Sequence, residues 1–404
     1  MGVLKMNPKH LQEFQQNVFL CFGCGACRGI WGRREEGLCP VFATGVGFED
    51  SIPRGRVTVA QDLLSGRISY SKGLAESLYR CTQCAGCVVL CGADDPETGH
   101  PIIDVPSIVE AMKADVVQLA LVPAKVRDFL ENIQRYGNPY GEPQSGRGKW
   151  ADGLGVKRYE HGDEMLLYIG CVGSYDNRSQ QAARALATVL LKAGVKFGIL
   201  GDEERCDGNE VLRLGERELF EYIAEENIKS FKELGVKKVV TFSPHSYNAM
   251  KNEYPRLGAE FEVLHYTQLL RDLMKERRLS VAKDIQAKVT YHDPCFLGRY
   301  NKEYDAPREI LTSVPGIKFV EMRRTREYSF CCGGGGGNFY TDLIGGGENH
   351  PARVRIREVR DSGASIVAVA CPICLTMLED AVKSEGLENQ VSVKDIAEVL
   401  DEIC

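Results

Sequence analysis

The chain lacks a marked excess of charge of either sign, a long apolar run and a secretion signal. Its 50 basic and 56 acidic residues leave a formal net charge of −6, which gives no basic surplus for binding nucleic acid. No stretch approaches the roughly 18 consecutive apolar residues that cross a bilayer. The first twenty residues include Lys5, Lys9 and Glu13 and lack the apolar centre of a signal peptide. We therefore expect a cytoplasmic protein that is not itself transmembrane, and leave open membrane association through a partner subunit.

Cysteine, in contrast, is abundant. The length of 404 residues suggests two or three domains, and a hydrophobic content of 44% excludes a disordered chain. Sixteen residues are cysteine, and most of them fall in clumps. Because the cytoplasm keeps thiols reduced, clustered cysteines there bind metal or perform redox chemistry more often than they form disulfides.

The first two clumps have the spacing of iron–sulfur ligands. Each contains three cysteines spaced three residues apart, and a fourth lies further along: Cys21, Cys24, Cys27 and Cys39, then Cys81, Cys84, Cys87 and Cys91. In two-cluster ferredoxins the fourth cysteine ligates the other cluster, which assigns Cys91 to the first run and Cys39 to the second. Structural zinc, the alternative, has no use for a third cysteine in each run. We predict two cubane [4Fe–4S] clusters, in a helical domain because the gap between Cys27 and Cys39 is too long for a compact ferredoxin.

From about residue 116 the pattern of the sequence changes. Residues 116–160 contain no cysteine and end in a stretch rich in Gly, Pro and Ser, which predicts a linker or surface excursion. Beyond them, short apolar runs alternate with helical stretches, which is typical of parallel α/β architecture. The predicted strands are 165–169, 195–200, 238–242, 288–291, 317–320 and 364–370. We predict an α+β multidomain fold with a mostly helical ferredoxin-like domain at 1–115, a linker at 116–160, and α/β units with parallel sheets at 161–285 and 286–404.

The two α/β units are related by an internal repeat of about 124 residues. Cys171 corresponds to Cys295, the segment 206–208 to 331–333, and the segment 243–246 to 371–374. The first two positions are 35 residues apart in one half and 36 in the other, and the next interval is 37 or 40 residues. Duplication of one α/β unit is the simplest interpretation.

The second half of the repeat carries five cysteines in loops, most of them just after a predicted strand: Cys295, Cys331, Cys332, Cys371 and Cys374. Such loops gather at one edge of an open parallel sheet, so these cysteines can converge. The glycine run 333–337 can turn N–H groups toward their negative charge. Zinc would use only four of the five, and a redox disulfide would use only Cys371 and Cys374. The glycine run is no phosphate loop, because no Lys-Ser/Thr follows it.

This pattern resembles the cysteine-rich "CCG" domain of heterodisulfide reductase catalytic subunits and their relatives. The resemblance rests on Cys295, 35 residues, Cys331-Cys332, 38 residues and Cys371-x-x-Cys374, and on the phrases 251–255, 292–300 and 331–337. It covers nearly the whole chain, because the family's fused subunit also has a two-cluster domain before two such repeats. It implies that the five cysteines bind a non-cubane [4Fe–4S] cluster and form the catalytic site, with Gly333, Gly334 and Gly335 in the cofactor-binding loop.

The first half of the repeat keeps only two of the five cysteines, Cys171 and Cys206. An aspartate and two serines stand at the other positions: Asp207, Ser243 and Ser246. Serine and aspartate are poor replacements for thiolate on iron, so we predict no non-cubane cluster in this half. A mononuclear site formed by Cys171, Cys206 and His245 is the alternative.

Two functions are compatible with these assignments. In the first, the chain is the electron-transfer subunit of a larger oxidoreductase and passes electrons between a partner and the non-cubane cluster through two cubane clusters. In the second, it is the catalytic subunit of a disulfide reductase that acts on thiol cofactors or a protein disulfide. A zinc-stabilised scaffold without a redox role is the third interpretation.

Partners and substrate contacts are less well defined by the sequence. No flavin or nucleotide fingerprint is present, so the donor or acceptor must belong to another subunit, such as a flavoprotein, a ferredoxin-type protein or a membrane cytochrome. Several polar side chains are candidates for lining a substrate pocket, although a supporting or surface role is the more common one: His265, His292, Arg299, Tyr300, Arg323, Arg324 and Arg326.

Overall fold

Short helices carry the N-terminal cysteine runs. The computed structural model describes residues 8–29, 37–44, 48–345 and 347–404. Asp104 caps the longest N-terminal helix by accepting a hydrogen bond from the backbone N–H of Ser107 at 3.3 Å. The N-terminal helices are α1 (Gln15–Leu20), α2 (Pro40–Thr44), α3 (Pro53–Leu64), α4 (Lys72–Tyr79), α5 (Gly86–Cys91) and α6 (Val105–Gln118).

The segment 116–160, predicted as a linker or surface excursion, contains helix α7 (Ala124–Tyr136). This helix ends at Gly137, which adopts a left-handed conformation with φ of 69° that favours glycine. Its apolar stripe, spaced three and four residues apart, is buried in the same core as the cysteine-bearing helices: Val126, Phe129, Leu130 and Ile133. The domain limits stay a prediction.

Two four-stranded parallel sheets follow. The first contains β1 (Met165–Tyr168), β2 (Phe197–Gly198), β3 (Lys238–Thr241) and β4 (Glu262–His265) in the order β2-β1-β3-β4. The second contains β5 (Ala287–Tyr291), β6 (Ile317–Phe319), β7 (Ile366–Val369) and β8 (Ser392–Asp395) in the order β6-β5-β7-β8. The two orders are equivalent, so the structure confirms the α+β architecture with two α/β repeats.

Helices connect and cover the strands of both sheets. The first repeat contains α8 (Gly170–Tyr175), α9 (Asn177–Lys192), α10 (Asn209–Arg213), α11 (Arg217–Glu233), α12 (Pro244–Asn248) and α13 (Tyr266–Lys275). The second contains α14 (Asp305–Ser313), α15 (Asn338–Thr341), α16 (Pro351–Ser362), α17 (Pro372–Ser384) and α18 (Ile396–Asp401). Within the described ranges, every helix is too short or too polar to span a bilayer.

The repeats share one hydrophobic core, and polar contacts link them across it. Arg178 of α9 donates hydrogen bonds to Glu398 of α18 at 2.6 and 2.9 Å, and it also pairs with Glu379 of α17. The buried Tyr266 hydroxyl donates to Asp395 Oδ1 at 2.8 Å. Because these contacts join residues more than 125 positions apart, they fix one repeat against the other.

We expect Tyr266→Phe to lower the free energy of unfolding by about 1 kcal/mol, because it removes one buried hydrogen bond between the repeats. Anaerobic chemical denaturation measures this change. Tyr222→Phe is the control, since that side chain is 60% exposed. Equal stability of the two variants would contradict the expectation.

Candidate metal centres

The first N-terminal group is formed by Cys21, Cys24, Cys27 and Cys91. Gly23 and Gly25 separate the run with φ values of 74° and 80°, and α5 ends at Cys91. Burial, together with repulsion from the nearby thiols of Cys91, Cys21 and Cys24, raises the pKa of Cys27 to about 12. Cys24 is exposed, whereas the other three are half-buried. A surface-facing set of four thiols is therefore present at this end of the chain.

The second N-terminal group is fully buried and consists of Cys39, Cys81, Cys84 and Cys87. Burial raises the pKa of Cys39 to about 12, with the Cys84 and Cys81 thiols adding to the increase and Arg56 opposing it. Burial likewise raises the pKa of Cys87, whose neighbours include Cys84, Cys81 and Cys39. Cys39 therefore lies with the later run and Cys91 with the earlier one, in the arrangement that the crossed assignment requires. Ligation itself stays a prediction.

The five cysteines of the second repeat converge at the carboxyl edge of its sheet. Cys371 immediately precedes α17, and Cys374 lies in the first turn of that helix. Cys374 Sγ is 3.4 Å from Cys332 Sγ, and Cys331 forms hydrogen bonds with Cys295 and Cys332. All five thiols are buried and none forms a disulfide.

The charges in this group are shared between neighbouring thiols. Burial opposes ionisation of Cys371, but hydrogen bonds from Cys374 and His245 lower its pKa to about 6. Hydrogen bonds with Cys331 and Cys374 also lower the pKa of Cys332, while its partners hold their protons. His292 joins the set, because its ring nitrogen, Cys332 Sγ and Cys374 Sγ all lie within 4.8 Å of one another. Closely spaced sulfur donors fit an iron–sulfur group better than a hard cation.

The glycine loop brings this group against the second N-terminal group. The Gly333 N–H donates to Cys331 Sγ at 3.3 Å. Further along, a Cβ on Gly335 would lie 2.5 Å from the carbonyl oxygen of Thr82, and one on Gly336 would lie 2.4 Å from that of Cys81. The loop therefore has no room for side chains where it packs on the second cysteine run.

Gly334 meets the site from the other side of the loop. A Cβ at Gly334 would lie 2.4 Å from Cγ2 of Ile373, which stands between Cys371 and Cys374. The Gly337 N–H donates to Glu210 of the first repeat at 2.5 Å, so the end of the glycine run does not face a sulfur. The cofactor-binding role of Gly333, Gly334 and Gly335 stays a prediction.

Cys84 and Cys331 are the point of contact between the two buried groups. The two thiols form a hydrogen bond, which together with Arg299 lowers the pKa of Cys84 to about 5 against the effect of burial. The Thr82 hydroxyl lies 3.8 Å from Cys331 Sγ. The sequence carries no signal for this contact, because it depends on how two separate domains pack.

Three of the candidate pocket residues anchor cysteine loops. Arg299 Nε donates to the carbonyl oxygen of Cys84 at 2.5 Å, and the Tyr300 hydroxyl donates to that of Gln83 at 2.7 Å. Arg324 Nη1 donates to the Gly37 carbonyl oxygen at 2.7 Å, two residues before Cys39. These hydrogen bonds favour a role in holding the cysteine loops over one in lining a substrate pocket.

The remaining candidates occupy different positions. His292 Nδ1 accepts a hydrogen bond from Arg355 Nε at 3.1 Å, beside the cysteines. His265 is buried and contacts Thr267, and Arg326 pairs with Asp305 near the surface. Arg323 also has an interaction partner.

The first repeat keeps the backbone of the site but only two of its five thiols. The Gly208 N–H donates to Cys206 Sγ at 3.4 Å, as the Gly333 N–H does to Cys331 in the second repeat. The Ser246 hydroxyl donates to Asp207 Oδ2 at 2.7 Å. Polar side chains thus bond to one another at two of the positions where the second repeat has cysteine.

Arg147 is the feature of this region that the sequence did not indicate. Its side chain is fully buried, both terminal nitrogens lie 3.5 Å from Cys171 Sγ, and it pairs with Glu204 at 3.2 Å. A hydrogen bond with Cys206 and the Arg147 charge lower the pKa of Cys171 against the effect of burial. Arg147 lies in the Gly/Ser-rich stretch 137–155, where nothing marks it as a core residue.

His245, considered above as a third metal donor, lies between the repeats. Its Nδ1 is 2.6 Å from Glu210 Oε1, and its ring forms a hydrogen bond with Cys371. The geometry thus directs this histidine toward the five-cysteine group.

Two domain families match the chain. A "4Fe-4S dicluster domain" matches residues 17–94, and a "Cysteine-rich domain" matches twice, at 165–251 and 289–379. The first match contains both N-terminal cysteine runs and Cys39, and the last contains all five converging cysteines. The fold and these sites define an iron–sulfur oxidoreductase.

Curated relatives identify the family. The chain is 32% identical to one subunit of the dihydromethanophenazine:CoB–CoM heterodisulfide reductase of Methanosarcina barkeri, over 98% of this chain and 97% of that protein. It is 37% identical to an EtfAB:quinone oxidoreductase of Syntrophomonas wolfei and 38% to a probable iron-sulfur-binding oxidoreductase, FadF, of Bacillus subtilis. These two alignments cover 81% and 80% of this chain but only 46% of each relative. The chain belongs to the family that contains this heterodisulfide reductase polypeptide and related iron–sulfur oxidoreductases.

We expect Gly336→Ala to destabilise the protein by about 1–3 kcal/mol, because the new methyl group would overlap the Cys81 carbonyl oxygen. Gly66→Ala is a matched control: φ is 67° there against 62° at Gly336, but nothing lies within 4 Å of the added Cβ. Unfolding free energy and iron per chain are measured for both variants. A loss no larger than that of the control would show that the loop does not need this close approach.

Proposed function

We propose that the chain is the iron–sulfur electron-transfer subunit of a larger oxidoreductase. Cys21, Cys24, Cys27 and Cys91 would hold one cubane [4Fe–4S] cluster, and the buried group with Cys39 a second. The five cysteines from Cys295 to Cys374 would hold a non-cubane [4Fe–4S] cluster. When bound, these groups supply one-electron transfer between a partner and the end of the relay.

The observation that carries the proposal is the proximity of the cysteine groups. Cys27 is close enough to Cys39 of the buried group for the charge of Cys39 to raise its pKa, and Cys84 forms a hydrogen bond with Cys331. The three groups therefore follow one another from an exposed cysteine, Cys24, to the interior of the second repeat. A series of adjacent one-electron sites is the arrangement that a relay requires.

The space between the repeats favours the relay over disulfide reduction. The cavity lined by Cys171, His245 and Ile373 has a volume of about 30 Å³, which is room for about two or three water molecules. Tyr340 also lines it and packs on Phe129 with ring centroids 5.1 Å apart. A thiol cofactor does not fit in this space.

The names of the relatives cover both alternatives, since one is a quinone oxidoreductase and another belongs to a heterodisulfide reductase.

Partner subunits are part of the proposal. The exposed group around Cys24 is the side from which a flavoprotein, a ferredoxin-type protein or a membrane cytochrome would exchange electrons with the chain. The chain spans about half the length of two of its curated relatives. The segments of those relatives outside the alignment represent further regions with which such a chain would work.

Iron analysis tests the cofactor content. Anaerobically purified protein should contain about twelve irons per chain, from two cubane clusters and one non-cubane cluster. Cys295→Ser should retain about eight irons and the signals of the cubane clusters, which also shows that the variant folds. Cys171→Ser changes the corresponding cysteine of the first repeat and should retain about twelve irons. About eight irons in the unchanged protein, or equal loss in both variants, would contradict the proposal.

Addition of a thiol separates the two functions. We expect no new paramagnetic signal when 2-mercaptoethanol is added to the anaerobic protein at a series of fixed potentials, because the cavity between the repeats admits no thiol. A thiol-dependent signal that Cys295→Ser abolishes would instead establish the disulfide reductase. Electron paramagnetic resonance gives the readout, and the same samples without thiol are the control.

A further inference from the structure

His245 belongs to the first repeat but contacts the cysteines of the second. In the repeat alignment it corresponds to Ile373, which stands between Cys371 and Cys374. The exchange is reciprocal, because Ile373 lines the small cavity next to Cys171 and Cys206. The side chain at this position of each repeat therefore lies at the cysteine site of the other repeat. In the first repeat that side chain is His245, which can donate a hydrogen bond.

The position of His245 is fixed from two sides. Its Nδ1 is 2.6 Å from Glu210 Oε1, and its ring lies 4.4 Å, centroid to centroid, from that of Phe296. Since Nδ1 faces Glu210, the other ring nitrogen is the one available to Cys371.

Glu210 is in turn held as an acceptor. Its Oε2 accepts the Gly337 N–H at 2.5 Å, and its Oε1 accepts the Asn209 side-chain amide at 2.9 Å. A carboxylate with these donors accepts a further hydrogen bond from Nδ1 of His245 and keeps the ring oriented. The first repeat thus supplies a Glu210–His245 pair that ends at a sulfur of the second.

We propose that His245 is a positioning residue that raises the reduction potential of the cluster bound through Cys371, by donating a hydrogen bond to the sulfur of that cysteine. The proposal rests on the proposed function, because it requires a cluster at the five cysteines. A hydrogen bond to a ligand sulfur stabilises the reduced state, which carries the additional negative charge. The first repeat then tunes the site of the second, although it lacks three of the five cysteines itself.

Potentiometric titration followed by electron paramagnetic resonance tests the proposal. At a given potential, His245→Ala should lower the ratio of reduced to oxidised non-cubane cluster about tenfold, which corresponds to a decrease of about 59 mV for one electron. His245→Gln keeps a donor and should recover part of the shift. Glu210→Gln should lower the potential in the same direction, because it weakens the anchor of the ring. The potentials of the cubane clusters should not change.

His265→Ala is the matched control, since it also removes a buried imidazole of the first repeat, one whose hydrogen bonds go to Thr267 and to the backbone of Phe242 and Ala370 and not to a cysteine sulfur. An unchanged potential in His245→Ala, or an equal shift in His265→Ala, would overturn the proposal while leaving the proposed function intact. If His245→Ala loses the cluster, the Gln and Glu210 variants decide by the direction of their shifts. Absence of a non-cubane signal from the unchanged protein would instead contradict the proposed function.

Discussion

The close approach of two backbone segments is the constraint on which the arrangement of the molecule depends. Gly335 and Gly336 lie against the carbonyl oxygens of Thr82 and Cys81, at distances that exclude any side chain. This contact places Cys84 beside Cys331 and joins the helical domain to the second α/β repeat. Arg299 and Tyr300 reinforce it by binding carbonyl oxygens of the same cysteine loop. Side chains at these two positions would overlap the carbonyl oxygens and force the two segments apart.

The sequence predicted the parts of this structure that depend on local pattern. Cysteine spacing indicated which thiols lie together, and short apolar runs indicated six of the eight strands. The edge strands β4 and β8 were missed because their alternation of polar and apolar residues, as in Glu262–His265, is short and weak. Helix α7 was missed for a different reason. The Gly, Pro and Ser residues at 137–155 led to the whole segment 116–160 being interpreted as a linker. Arg147 and the contact between Cys84 and Cys331 depend on tertiary packing, for which a single sequence carries no periodic signal.

The first repeat keeps the fold of the second although it lacks three of its five cysteines. Its sheet order and its Gly208–Cys206 hydrogen bond are those of the intact repeat, so the backbone did not depend on the missing thiols. The buried Cys171 thiol faces the Arg147 guanidinium at 3.5 Å, and this positive charge helps to lower its pKa. Asp207 and Ser246 satisfy each other in the same way. The repeat therefore keeps its shape through a polar network, and that shape holds Glu210 and His245 against the second repeat.

The unequal burial of the two N-terminal groups has a consequence for the durability of the protein in air. Cys24 meets solvent, whereas Cys39, Cys81, Cys84 and Cys87 are enclosed by protein. Oxidants attack sulfur ligands in order of their accessibility, so damage begins at the outermost site and spares the interior ones. For the proposed relay, brief exposure to oxygen would destroy the outer cluster first and interrupt electron exchange with a partner, while the two buried clusters would persist and only the outer one would need rebuilding.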